Sequence, residues 1–160
     1  EAYQDGSNMR ARKQMLRAAY LAGNAFTRSY VGYVHAVAHS LGGKYNTPHG
    51  LANAVLLPFV LEAYGQTAHR PLHALAVAVG ISDWRESDEE GAVKFIEAIR
   101  QMKKDLSIGD TICGIQKKDI PGLARQAEKE ANPLYPVPDL MTAKQLEEFY
   151  YMVMEEETHA

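Results

Sequence analysis

The amino-acid sequence predicts an all-α protein built as a helical bundle. Apolar residues recur at the three- and four-residue spacing of a helix along almost every long segment. No segment of the sequence shows the sustained apolar and polar alternation that is typical of half-buried strands. Residues that start or stop helices, such as a Ser-Asp-Glu-Glu run and a glycine pair, separate these segments.

Three helices are expected in the first part of the chain. The first runs from Met9 to about Ser29, because its apolar side chains share one face of a helix. The second runs from about Val31 to Leu41 and should end at Gly42-Gly43, since glycine takes the left-handed conformation that ends helices. The third runs from His49 or Gly50 to about Tyr64 and is apolar on nearly all sides, as in a helix at the centre of a bundle.

Four further helices are expected after residue 70. A short one begins at Pro71 in its first turn and ends near Val79. The run Ser87-Asp88-Glu89-Glu90 has the pattern of a capping box and opens a helix that reaches about Leu106. Another runs from Lys118 or Asp119 to about Asn132, and Thr142 should cap the last one.

The composition indicates one soluble globular domain spanning residues 1–160. This length is close to that of a single typical domain. The formal net charge is −3, so the chain offers no basic stripe for phosphates and nucleic acid is not an expected partner. The most apolar stretch, Ala54–Leu61, contains Pro58 and is far shorter than the roughly 18 residues that cross a membrane. No membrane partner is expected.

The cysteine content points to a reducing compartment, which we interpret as the cytoplasm. Cys113 is the single cysteine of the sequence, which excludes an internal disulfide and a thiolate-rich metal site. The chain begins at Glu1 with neither the basic nor the apolar region of a secretory signal peptide. The acidic end Glu155-Glu156-Glu157 is expected to fray in solvent.

Three of the six histidines fall in one short stretch and form a candidate metal site. His35 and His39 are four residues apart, so both lie on one face of a helix. A loop with two glycines and a proline can fold His49 back beside them. Imidazole is a good ligand for iron, zinc, nickel and copper, although histidines at this spacing also occur as buried groups that only form hydrogen bonds. The second pair, His69 and His73, brackets a proline and is interpreted as surface or capping residues.

The histidine stretch resembles the signature of the iron-containing (group III) alcohol dehydrogenases. The matching residues are Gly32-x-x-His35-x-x-x-His39-x-x-Gly42, followed by Asn46-x-Pro48-His49-Gly50. The similarity covers nearly the whole chain and includes Ala22-Gly23-x-Ala25-Phe26, Ala52-Asn53-Ala54-x-Leu56-Leu57-Pro58, Asp119-Ile120-Pro121 and Asn132-Pro133. The separation of fourteen residues between His35 and His49 fits this branch better than a glycerol dehydrogenase or dehydroquinate synthase.

This resemblance implies the all-helical C-terminal domain of the dehydroquinate-synthase-like fold. In the family an α/β dinucleotide-binding domain normally precedes it, and we expect that domain to lie outside this chain. One Fe²⁺, sometimes Zn²⁺, is held by an aspartate and three histidines, of which the last two match His35 and His49. Glu1-Ala2-Tyr3 resembles the end of the helix that carries the other two ligands, so the chain is expected to be a C-terminal fragment with half of a metal site.

The resemblance also assigns roles to other residues. His39 matches a position that faces the nicotinamide and substrate, which implies a catalytic role in proton relay or positioning and contact with the cofactor. Phe26 matches a residue that lines the substrate pocket, while an ordinary core aromatic is an equally good interpretation. Asn53 and Gly50 are interpreted as packing near the metal loop. Glu128-Lys129-Glu130, a run of mixed charge, is interpreted as a solvated helix face.

The expected function is that of the C-terminal domain of a metal-dependent NAD(P) alcohol dehydrogenase. Hydride would pass between a small primary alcohol or diol, or its aldehyde, and NAD or NADP bound mainly by the other domain, while the metal polarises the alcohol oxygen. We expect a homodimer or higher homo-oligomer, and an inactive protein when the domain stands alone. The alternative is a stand-alone helical metal-binding or interaction module without dehydrogenase activity.

Overall fold

The computed structural model describes residues 1–155, and the regular structure of this range is helical. Part of the acidic end, Glu156 and Glu157, lies outside the described residues. The described helices are α1 (Met9–Ser29), α2 (Tyr33–Tyr45), α3 (His49–Ala63), α4 (Gln66–Ala78), α5 (Asp88–Asp105), a 3₁₀ turn (Lys117–Asp119), α6 (Ile120–Ala131) and α7 (Ala143–Val153). An isolated bridge pairs Ile112 with Met154. The all-α prediction is confirmed.

The chain divides into two compact units, one from Glu1 to Val31 and one from Gly32 onward. In the first unit, the side chain of Asn8 caps α1 by accepting a hydrogen bond from the backbone N–H of Ala11 at 3.1 Å. Helix α1 follows the predicted bounds, Met9 to Ser29. Between residues 1 and 155, no helix is both long and apolar enough to cross a membrane.

The main core of the second unit lies among α2, α3, α6 and α7. Its largest fully buried side chains include Tyr33, Leu41, Leu56, Ile120 and Tyr150. A smaller core joins α4 to α5 through Ala68, Leu72, Ala92 and Ile96. Burial of these apolar side chains supplies the main stabilisation of the bundle.

Two predicted helix starts are confirmed: Ser87 forms the predicted capping box, and Thr142, predicted only as a cap, forms one as well. At α5, the hydroxyl of Ser87 accepts the N–H of Glu90 at 3.2 Å, and the Glu90 carboxylate accepts the N–H of Ser87 at 2.9 Å. At α7, Thr142 and Gln145 make the same reciprocal pair. Each box satisfies two backbone groups that a bare helix start leaves unpaired.

The predicted end of α2 at the glycine pair is wrong. The helix continues through Gly42 and Gly43 to Tyr45, and Asn46 ends it with a φ of 55° and its N–H bonded to the Gly42 carbonyl at 3.0 Å. Asparagine tolerates this left-handed conformation. The last turn is held because the Tyr45 hydroxyl donates to Asp119 at 2.9 Å.

The predicted start of α4 at Pro71 is also wrong. The helix begins five residues earlier, at Gln66, because Gly65 takes a φ of 52° and reverses the chain directly after α3. Pro71 therefore lies inside the helix rather than in its first turn.

His73 is a buried residue, which corrects its interpretation as a surface histidine. Its side chain is 2% exposed, and its two ring nitrogens lie 2.9 Å from the Asp88 carboxylate and 3.0 Å from the Asp83 carbonyl. These bonds tie α4 to the start of α5. Trp84, in the connecting loop, is exposed and has its ring centroid 5.6 Å from that of His73.

A buried tyrosine, two residues before His35, fixes the start of α2. The Tyr33 hydroxyl donates to the Asn132 side chain at 2.6 Å and accepts the backbone N–H of Met141 at 2.9 Å. Asn132 in turn donates to the Met141 carbonyl at 3.0 Å. The network connects α2 to the segment that joins α6 and α7.

Candidate metal and proton-transfer site

Three imidazoles from two helices come together in the second unit. His35 and His39 lie one turn apart on α2, and His49 is the first residue of α3. The ring centroids are 5.8 Å apart for His35 and His39, 5.3 Å for His35 and His49, and 5.2 Å for His39 and His49. The loop between α2 and α3 thus places His49 beside α2.

Local backbone geometry explains this return of the chain. Asn46 turns the backbone through its left-handed conformation, and Pro48, with φ of −56°, precedes α3. The carbonyl of Pro48 accepts the N–H of Ala52 at 3.0 Å, which starts the helix immediately after the turn. The loop is therefore short and held at both ends.

His35 is suited to bind a metal as a neutral imidazole. Burial lowers the pKa of His35, and the neighbouring His49 and His39 lower it further, while Glu130 acts in the opposite direction. A lower pKa keeps the ring unprotonated at neutral pH, which leaves a nitrogen lone pair for a metal.

His39 is paired with a carboxylate that the sequence interpretation missed. Its Nδ1 lies 2.7 Å from Oε1 of Glu130 on α6, and the same oxygen accepts the Tyr135 hydroxyl at 2.8 Å. Glu130 is 28% exposed, so its assignment to a solvated face is wrong for this residue. Since 91 positions separate His39 from Glu130, no local sequence pattern indicates the pair.

Asn53 holds His49 from the next turn of α3. Its Nδ2 lies 2.8 Å from the His49 carbonyl oxygen and 3.0 Å from Nε2 of the His49 ring. The Oδ1 of Asn53 is buried and has no hydrogen-bond partner within residues 1–155. Asn53 therefore contacts the predicted ligand itself, beyond the packing role expected of it.

The residues present fit part of a metal site. Two imidazoles that share a tetrahedral ion through bonds of about 2.1 Å have ring centroids roughly 5 Å apart. The separation of 5.3 Å between His35 and His49 fits this spacing, as do the distances to His39. Within the described residues, no group of three or more His, Cys, Asp or Glu side chains is arranged to hold a metal ion. A bound ion would need further ligands.

Phe26 belongs to the first unit, where it lies near the end of α1 and is 50% exposed. Its side chain is not part of a buried core in that unit. Its assignment to a substrate pocket stays a prediction.

The comparisons with known proteins establish the family. The family model described as Fe-containing alcohol dehydrogenase family, C-terminal, matches residues 1–154. The chain therefore belongs to the Fe-containing alcohol dehydrogenase family, as the histidine signature indicated.

The curated relatives include dehydrogenases and a reductase. A 1,3-propanediol dehydrogenase from Klebsiella pneumoniae is 42% identical over 130 residues, which cover 79% of this chain and 33% of the relative. Alcohol dehydrogenase 4 from Saccharomyces cerevisiae is 40% identical over 134 residues, 81% of this chain and 34% of the relative. Lactaldehyde reductase from Escherichia coli is 36% identical over 119 residues, 73% of this chain and 31% of the relative. The chain spans about a third of the length of these relatives.

Solved structures have the same arrangement of helices. A crystal structure of a 1,3-propanediol oxidoreductase superposes with a TM-score of 0.87 at 34% identity, covering 96% of this chain and 40% of that one. An alcohol dehydrogenase from Oenococcus oeni superposes with a TM-score of 0.85 at 32% identity, covering 95% of this chain and 40% of that one. The fold is that of the C-terminal domain in this family.

Proposed function

We propose that this chain is the metal-holding domain of an iron-dependent NAD(P) alcohol dehydrogenase. Its substrates are small primary alcohols and diols, or the corresponding aldehydes. The observation that carries the proposal is the convergence of His35, His39 and His49, with ring centroids between 5.2 and 5.8 Å apart. The names of the relatives, which include a propanediol dehydrogenase and a lactaldehyde reductase, support the substrate class.

His35 and His49 are the metal ligands of this proposal. The lowered pKa of His35 and the position of His49 at the start of α3 support the pair. The ion is Fe²⁺, or Zn²⁺ in its place, and when bound it supplies a Lewis acid that polarises the alcohol or carbonyl oxygen. The remaining ligands come from residues other than these two.

His39 is the catalytic residue of this proposal and faces the nicotinamide. Its side chain is 41% exposed, so it can exchange protons with solvent, and Glu130 holds its Nδ1. These features suit a group that takes a proton from the substrate hydroxyl at Nε2. Phe26 lines the substrate pocket.

The nicotinamide cofactor, NAD or NADP, binds mainly to polypeptide outside residues 1–160. The aligned part of this chain covers 33% of the propanediol dehydrogenase, and the remaining length of that relative leaves room for such a domain. The complete enzyme acts in the cytoplasm as a homodimer or higher homo-oligomer, without nucleic-acid or membrane partners.

The first experiment is to sequence the coding DNA directly upstream of the codon for Glu1. The proposal predicts an in-frame Asp-x-x-x-His immediately before Glu1, preceded by a glycine-rich nucleotide-binding region. A start codon or an unrelated domain at that place would contradict it and would favour the alternative, a stand-alone helical metal-binding or interaction module.

The second experiment assays the complete polypeptide for activity. We expect reduction of NAD or NADP with 1,3-propanediol or a short primary alcohol when Fe²⁺ is supplied, and loss of this activity after chelation. Turnover that is unchanged after complete removal of metal would contradict the metal-dependent mechanism.

A further inference from the structure

The contact between Glu130 and His39 assigns a role to a carboxylate outside the predicted ligand set. We propose that Glu130 is a positioning residue that holds neutral His39 in the Nδ1–H tautomer and leaves Nε2 as the proton acceptor. The inference rests on the proposed function for the use of that proton, but the tautomer itself is a property of these residues alone.

The hydrogen-bonding chemistry of the two groups fixes the tautomer. A carboxylate oxygen only accepts hydrogen bonds, so the 2.7 Å contact requires that Nδ1 of His39 carries the hydrogen. A neutral imidazole has one N–H, and Nε2 is therefore unprotonated. In water, neutral histidine side chains favour the opposite form, Nε2–H. Glu130 thus reverses the intrinsic preference of the ring.

A second donor holds the carboxylate in place. The Tyr135 hydroxyl donates to the same Oε1 at 2.8 Å. Burial and the neighbouring carboxylate raise the pKa of Tyr135 to about 12, so this hydroxyl stays protonated and continues to donate. With Tyr135 and His39 both bonded to it, Oε1 cannot turn away from His39 without losing two hydrogen bonds.

The backbone of Glu130 is also fixed by the core. Ala127 and Ala131, on the same helix, are fully buried against the main core. The side chain of Glu130 therefore leaves α6 from a defined position and reaches α2 in the orientation that the hydrogen bond needs. Its partial burial reduces competition from water for the same oxygen.

The consequence for the reaction is a defined direction of proton transfer. The O–H bond of the substrate alcohol breaks as the N–H bond forms at Nε2, and the resulting imidazolium is stabilised by the negative charge of Glu130. The proton then returns to water, because His39 is 41% exposed. With the other tautomer, Nε2 would carry a hydrogen and could not accept the proton.

To test this, the tautomer of His39 is determined in the chain of residues 1–160 without metal. Long-range ¹H–¹⁵N NMR correlations of the histidine rings show which ring nitrogen carries the hydrogen. The spectra are recorded at a pH at which the ¹⁵N chemical shifts themselves show that the His39 ring is neutral. Signals of His39 are identified by their loss in His39→Ala. We expect Nδ1–H in the wild type and a change to predominantly Nε2–H in Glu130→Ala, with helix content unchanged by circular dichroism.

Two further variants separate positioning from a general effect on α6. Glu130→Gln keeps an acceptor oxygen and should retain Nδ1–H, whereas Glu128→Gln alters a carboxylate on the same helix and should leave His39 unchanged. In the complete polypeptide, Glu130→Ala should lower kcat about tenfold with KM and bound iron unchanged.

Either of two results would overturn the inference: Nε2–H as the main form in the wild type, or Nδ1–H retained in Glu130→Ala. Because the NMR measurement uses neither metal nor substrate, such a result would leave the proposed dehydrogenase function standing. Failure of that function would instead appear as a complete polypeptide without metal or turnover while the tautomer is as expected.

Discussion

The imidazole of His73 lies directly against the α-carbon of Gly91, so that a β-carbon added at residue 91 would overlap Cδ2, Cγ and Cβ of His73. The ring cannot move aside freely, since hydrogen bonds to Asp88 and to the Asp83 carbonyl hold both of its nitrogens. This contact allows α4 and α5 to approach closely around the smaller core.

Replacing Gly91 with alanine should therefore destabilise the chain. The overlap forces either a shift of α5 or loss of the His73 hydrogen bonds, at a cost of about 1–3 kcal/mol in the free energy of unfolding. Gly122→Ala is the matched control, because Gly122 is also helical and a β-carbon there meets nothing within 4 Å. That control should be neutral or stabilising by up to about 1 kcal/mol. Urea unfolding of the three proteins measures the difference, and equal effects of both substitutions would contradict the packing described.

The same histidine should make stability depend on pH. The hydrogen bond to Asp88 raises the pKa of His73 most, the Asp83 carbonyl and Glu86 add to this, and burial opposes it. Because the folded state binds this proton more tightly than the unfolded state, the stabilisation is fully present below the unfolded pKa of about 6.5. It is lost as the pH rises from there through the higher folded pKa.

A comparison of melting temperatures isolates this effect from the titration of other groups. His35, with its lowered pKa, contributes in the opposite direction, so the wild type is compared with Asp88→Asn at each pH. The difference in melting temperature between the two should shrink as the pH is raised above 6.5. Glu89→Gln, in the same first turn of α5, is the control for loss of a charge at the helix start. If the Asp88→Asn difference were constant with pH, the His73 ion pair would not be responsible.

Removal of the buried Tyr33 hydroxyl should also weaken the fold. Tyr33→Phe removes the hydroxyl that bonds to the Met141 N–H and to Oδ1 of Asn132, while Nδ2 of Asn132 keeps its bond to the Met141 carbonyl. Leaving buried polar groups unpaired costs about 1–3 kcal/mol. Tyr151→Phe removes a hydroxyl from a side chain that is 41% exposed and should change stability by less than about 0.5 kcal/mol. Similar midpoints for both variants in urea would argue against the network.

Substitution of His39 should separate metal binding from turnover. We expect His39→Ala in the complete polypeptide to keep its iron and to lose about 100-fold or more in kcat, because a positioned proton acceptor is removed while the ligands stay. Iron content and steady-state kinetics on the same preparation measure both. Loss of iron in this variant would mean that His39 is itself a ligand.

The sequence predicts those parts of the structure that short-range chemistry determines. The capping box at Ser87 and the cap at Thr142 are encoded within four residues, and the amphipathic pattern of α1 gives its bounds. The proximity of His35 and His39 follows from helical spacing alone.

The features that the sequence did not predict depend on hydrogen bonds between residues that are far apart in the chain. The end of α2 is held by a bond from Tyr45 to Asp119, 74 positions away, and this bond outweighs the glycine pair as a helix-ending signal. From the sequence alone, Glu130 is interpreted as a solvated residue, because its contact with His39 forms only when α6 packs against α2. The burial of His73 requires the turn that places Asp88 beside it.

If His35 and His49 hold a catalytic metal ion, the complete polypeptide binds iron through them, and the iron bound per chain can be measured. We predict that His49→Ala loses both iron and activity. The control His69→Ala, which removes an imidazole from α4, should keep both. Retention of iron and turnover in His49→Ala would contradict the assignment of His49 as a ligand and the metal site that includes it.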